Sequence, residues 1–109
     1  PCRGGAPALS LAAARARLGE VPGWALELGP PPRLTKRFAF EAFPAAIAWV
    51  NRLAELAEAQ GHHPDLNVRY RWVEVAYTTH AIQGLHDNDF VMAAKTDAAY
   101  DGFPGARGA

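Results

Sequence analysis

Two of the four histidines in this chain of 109 residues stand side by side, His62 and His63, in the stretch GHHPDLNVRY. His80 closes the run VEVAYTTH, and His86 follows it closely. Imidazole titrates near neutrality, so one ring can donate a proton while another accepts one. Clustered rings also push one another's pKa values apart, because two like charges at close range disfavour each other. General acid–base chemistry is what these residue types fit best, and a positioned acid or base is worth about 10²- to 10⁴-fold in rate.

Other chemistries find less support. Adjacent residues rarely ligate one metal together, there is no HExxH, and no second cysteine supports a structural zinc. His86 is explained more simply by a helix start than as a further ligand. No Ser, His and acid arrangement suggests a nucleophile, and Cys2 stands in the Gly-rich opening PCRGGAPA. The glycines form neither GxGxxG nor a Walker pattern. The plainest competing account is that the histidines are polar residues at the ends of elements.

The elements that must position them follow from pattern. Residues 1–8 are expected to form a flexible arm. Ser10 can cap a helix over LAAARARLGE, stopped by Gly19 and the VPG of 21–23. WALEL (24–28) reads as a short strand and GPPP (29–32) as a loop. In RLTKRFAF (33–40), Leu34, Phe38 and Phe40 share one side of a half-buried strand. Lys36 interrupts that side and is expected near a sheet edge. Pro44 opens a helix over about 44–60, ended by Gly61. It carries two apolar stripes, Phe43, Ile47, Val50, Ala54, Ala57 and Ala46, Trp49, Leu53, Leu56. Together they cover roughly half the circumference, which suits a deeply seated core helix or a second face buried against a symmetry mate.

LNVRY (66–70) and VEVAYTT (73–79) read as two further strands with a turn at 70–72, and DNDFVMAAKTDAAY (87–100) as a helix. The tail 101–109 is expected to be loose. The order α-β-β-α-β-β-α predicts an α+β domain, with helices on one face of an antiparallel sheet. His62 and His63 follow a helix C-terminus, where the macrodipole favours the protonated ring, and Pro64 restricts His63 to extended backbone. If the two later strands form a hairpin, the start of the first lies beside the end of the second. His80 then returns to the histidine pair, and three imidazoles line one pocket.

Composition bounds the partners. Half of the residues are hydrophobic and a fifth charged, as in one ordinary globular domain. Lys plus Arg and Asp plus Glu are 11 each, so the formal net charge is zero. That balance argues against an electrostatic nucleic-acid binder and against polybasic membrane attachment. A single cysteine cannot form an internal disulfide, so no oxidising compartment is required. No 18-residue apolar run and no signal-peptide pattern is present, and a cytoplasmic location is the default expectation.

The ordered set Glu58, His62, His63, Pro64, Tyr70, His80 and Asp89 resembles the pattern of the pterin-4a-carbinolamine dehydratase family. GW at 23–24, the KRFAF run, and TTH followed by Gly84-Leu85 add to the likeness, which covers about residues 9–100. The resemblance implies a four-stranded antiparallel sheet with three helices on one face, joined edge to edge into a homodimer or further paired into a homotetramer. It implies dehydration of 4a-hydroxytetrahydropterin to quinonoid dihydropterin, with no metal and no organic cofactor. Losing water from a carbinolamine needs an acid for the departing hydroxyl and a base for the neighbouring N–H. His62, His63 and His80 would carry the reaction, with His62 or His80 protonating the hydroxyl and His63 handling the N5 proton or binding. Pro64 and Tyr70 would shape the pocket, while Glu58 and Asp89 would support it.

Two departures stand near the site. His86 occupies a position where the family usually has Thr or Ser to cap the last helix, although Asp89 can still bond to the backbone of residue 86. Gln83 stands where a small residue is common. Family members also include proteins without catalysis, among them coactivators and dehydratase-like factors that assist RuBisCO assembly in carboxysome systems. A protein-binding role with a RuBisCO client is therefore the alternative expectation, since fold does not settle function.

Overall fold

The computed structural model of the chain describes residues 7–107, and every structural statement here concerns those residues. Cys2 and most of the arm expected over 1–8 lie outside them. The elements are α1 (Leu11–Arg17), β1 (Ala25–Glu27), β2 (Arg33–Ala39), α2 (Phe43–Gln60), β3 (Asp65–Arg69), β4 (Trp72–Tyr77) and α3 (Asp87–Tyr100). The four strands make one antiparallel sheet in the order β1-β2-β4-β3. The α+β class and the element order are those expected from the sequence.

Strand alternation decides which face is covered. Leu34 and Phe38 of β2 and Val73, Val75 and Tyr77 of β4 are buried under the helices. α2 turns Ala46, Trp49, Leu53 and Ala57 onto this layer, and α3 turns Phe90, Met92, Ala93, Thr96 and Tyr100. Rings of Phe38, Phe40, Trp49 and Tyr100 meet with centroids 4.8 to 5.9 Å apart, in tilted or edge-on arrangements that suit ring quadrupoles. Of the two apolar stripes on α2, only the one through Trp49, extended to Ala57, is core. Phe43 and Ile47 of the other are 45% and 37% exposed.

Two local expectations are corrected. β2 is an interior strand, so Lys36 is not on an edge strand, although it lies just past the last β1 pair, Ala25↔Thr35. Its Nζ reaches Asp97 Oδ1 of α3 at 2.7 Å, and Asp97 Oδ2 accepts from Trp24 Nε1 at 3.0 Å. The charge is tolerated on the covered side because a carboxylate meets it there. The stretch 101–107 of the expected loose tail is instead held against β2. Arg107 N–H donates to Ala39 O (3.0 Å), Glu41 N–H donates to Gly105 O (2.7 Å), and Phe103 and Ala106 pack against the core. Gly105, at φ +86°, passes so close to Ala45 that an added Cβ would stand 2.5 Å from that residue's Cβ.

No helix among the described residues is long and apolar enough to cross a membrane.

Candidate active site

The end of α2 aims the first two histidines. Gly61 takes the left-handed conformation at φ +65°. Its N–H returns to Glu58 O at 3.3 Å and the His62 N–H to Ala57 O at 3.2 Å. This pairing closes the helix and fixes where the chain leaves it. The β3–β4 hairpin supplies the third. Asp65 pairs with Ala76 and Arg69 with Trp72, so the chain just before β3 lies beside the chain just after β4. His62, His63 and His80 accordingly line one hollow of about 240 Å³, together with Gly61, Thr78, Thr79 and Ala81.

The three rings sit in different environments. His62 is buried, and its Nε2 meets Asp89 Oδ1 at 2.7 Å, with Tyr77 stacked at 5.9 Å between centroids. Asp89 is fully buried, and its Oδ2 accepts from Thr79 Oγ1 at 2.7 Å and from His86 N–H at 2.9 Å. One carboxylate thus ties the His62 ring to the end of β4 and to the start of α3. His63 is exposed, and its Nε2 meets Glu58 Oε2, also exposed, at 2.5 Å. His80 opens a 3₁₀ turn over His80–Ile82 and faces water, and no side-chain hydrogen bond among the described residues engages its ring. Gln83 Nε2 donates to the His80 carbonyl at 2.9 Å, and Gln83 itself takes φ +53°, which explains why a small residue would suit that place.

The other expected site residues divide. Glu58 stands against His63, and Asp89 stands behind His62 rather than in the hollow. Pro64 follows His63 without lining the cavity. Tyr70 is a correction: it lies in the β3–β4 turn at φ +53°, 67% exposed, at the other end of the hairpin from the histidines. A tyrosine five residues past the start of a strand is carried about 16 Å along it. Thr78 and Thr79 were missed, although their place between an alternating strand and His80 marks them as pocket lining. A second hollow of about 260 Å³, lined by Gln60, His62, Asn88, Val91 and Met92, shares the His62 side chain with the first and was also missed.

Two measurable consequences arise here. The Tyr77 hydroxyl bonds Thr96 Oγ1 at 2.8 Å beneath His62. Burial, with a smaller contribution from the Asp89 charge, raises its pKa from 10.0 to about 12, against a lowering by the Thr96 hydrogen bond. The unfolded chain therefore loses this proton first as pH rises. The contribution of Tyr77 is fully present below pH 10 and is lost between pH 10 and about 12, by about 2–3 kcal/mol. Urea unfolding across that range should show the wild type losing this much more stability than Tyr77→Phe.

His86 is the N-cap of α3; its ring is only loosely placed against the Asp89 N–H, and its buried Nδ1 forms no hydrogen bond among the described residues. Asp89 already satisfies the His86 N–H, so a short hydroxyl at position 86 would complete the cap. His86→Thr is expected to stabilise the domain by about 0.5–1 kcal/mol in the same assay.

The family model described as pterin 4 alpha carbinolamine dehydratase matches residues 7–99. The chain belongs to this family. A relative from Aromatoleum aromaticum, provisionally named a pterin-4-alpha-carbinolamine dehydratase, is 44% identical over 97 residues, covering 89% of this chain and 86% of its own. Among solved structures, a transcriptional coactivator/pterin dehydratase from Brucella melitensis superposes with a TM-score of 0.77. It is 29% identical and covers 84% of this chain and 97% of its own. A pterin dehydratase-like protein identified as a RuBisCO assembly factor in the alpha-carboxysome gives a TM-score of 0.61. It is 32% identical and covers 71% of this chain and 88% of its own. This pterin dehydratase family member shares its fold with both.

Proposed function

We propose that the chain dehydrates 4a-hydroxytetrahydropterin to quinonoid dihydropterin by histidine acid–base catalysis. The observation that carries this reading is the convergence of His62, His63 and His80 on one hollow, with each ring held differently. His80, whose ring no other side chain among the described residues engages, donates a proton to the 4a hydroxyl. The C4a–O bond breaks and water leaves. His63, backed by the Glu58 carboxylate, takes the proton from N5, and the electrons of that N–H bond form the N5=C4a double bond. One proton is given and one taken, so the enzyme returns to its starting state after an exchange with water. His62, fastened by Asp89, holds the floor of the site and lines both hollows.

The test is the dehydration rate of freshly generated 4a-carbinolamine, followed by absorbance, with and without protein. Acceleration proportional to protein concentration is expected, and a rate equal to the uncatalysed background would reject catalysis.

The likeness to the RuBisCO assembly factor favours one second reading, a client-binding role that does not use the histidines. It predicts more assembled RuBisCO on co-expression, with wild type and His80→Ala alike.

A further inference from the structure

The uncovered face of the sheet ends in a cluster that the histidine site does not use. The paired rows Ala39–Trp72–Arg69 and Arg37–Glu74–Asn67 place Arg37, Trp72 and Arg69 together on the face away from the helices. The Arg37 guanidinium carbon stands 3.8 Å over the Trp72 ring and that of Arg69 5.3 Å from it. In the adjoining turn the Arg71 guanidinium lies 5.1 Å over Tyr70. Arg17, Arg33 and Lys36 each have a carboxylate partner, but among the described residues no ion pair engages Arg37, Arg69 or Arg71. A guanidinium held against a ring by cation–π attraction keeps its N–H donors available for a carboxylate.

We propose that this arginine–aromatic corner docks a short acidic, extended segment of a partner protein. Charge distribution favours a short peptide over a nucleic acid. Glu74 stands directly across from Arg37 in the same row, and Asp65 and Glu27 lie on the same face toward its other end, so a long polyanion crossing the sheet would be repelled. The chain as a whole also carries no net positive charge. The corner lies about 20 Å along β4 from the histidines, so a docked segment and an occupied pterin site are compatible. Tyr70, displaced from the pocket, has its place here.

The experiment is fluorescence anisotropy with a fluorescein-labelled octapeptide of alternating Glu and Asp, at about 0.1 M salt, where screening acts beyond about 10 Å. An uncharged Gly/Ser octapeptide and octathymidylate serve as comparison probes. Saturable binding of the acidic peptide is expected. Arg69→Gln/Arg71→Gln should weaken it by about tenfold or more. Trp72→Leu keeps every charge yet should weaken it by about threefold, because the stacking platform is lost. Arg15→Gln on α1 and His80→Ala should bind as the wild type does. Absence of saturable binding, equal losses in Arg15→Gln and the double variant, or tighter binding of octathymidylate would each overturn the proposal. Unfolding curves matching the wild type confirm that the variants are folded.

Discussion

His80→Ala is expected to lower the rate of 4a-carbinolamine dehydration by about 10²- to 10⁴-fold, the range a positioned general acid contributes. The same substitution should change unfolding free energy by less than about 0.5 kcal/mol, because the side chain is exposed and removes no side-chain hydrogen bond. This separation of large kinetic and small thermodynamic effects is what marks a residue that meets substrate. His63→Ala should also slow the reaction, and Glu58→Gln should do so less, since it leaves the imidazole in place while removing its carboxylate. Stopped-flow absorbance with urea titration of the same preparations decides the matter. A His80→Ala rate equal to the wild type would remove His80 from the mechanism. A stability loss of several kcal/mol would make its role structural.

Asp89→Ala should show the opposite balance, with a destabilisation of about 3–5 kcal/mol. The carboxylate is fully buried and meets the His62 ring, the Thr79 hydroxyl and the His86 N–H, so its loss leaves polar groups buried without this partner. Asp89→Asn keeps the shape but replaces one acceptor by a donor. One oxygen can still serve one side, while the NH₂ faces either the ring or the Thr79 and His86 donors, and a cost of about 1–3 kcal/mol is expected. Urea denaturation gives the stability, and activity corrected for the folded fraction gives the effect on chemistry. Asp89→Ala with wild-type stability would show that the three bonds add nothing net. Asp89→Asn with unchanged activity per folded molecule would show that His62 needs no anchor.

Much of this arrangement is legible in the residues alone. Period-two burial in VEVAY and the glycine after GHHP's preceding helix place β4 and the end of α2, and antiparallel return then brings His80 to His62 and His63. What escaped depends on partners distant in sequence. Nothing near Lys36 reveals that Asp97, 61 positions away, will meet its charge. The apolar breadth of α2 does not say which stripe faces the sheet, because that is set by how the helix rolls against Phe38 and Phe40. The 101–107 stretch looks polar and glycine-rich, yet its turns present Phe103 and Ala106 to the core. The resemblance puts Tyr70 at the pocket, whereas the extended run of β3 carries it to the far end of the hairpin. The resemblance implies Glu58 and Asp89 as supporting residues, but the three-way grip of Asp89 is not legible in the residues.

That grip has a further meaning for how heat acts on the protein. A single anion clamps an aromatic nitrogen, a strand end and a helix start, so none of the three can wander without dragging the others. Loosening at the beginning of α3 should therefore reach the imidazole through this contact. The proposed dehydration should then fade on warming ahead of the main cooperative melt, making it a more sensitive gauge of helix seating than spectroscopic signals from the strands.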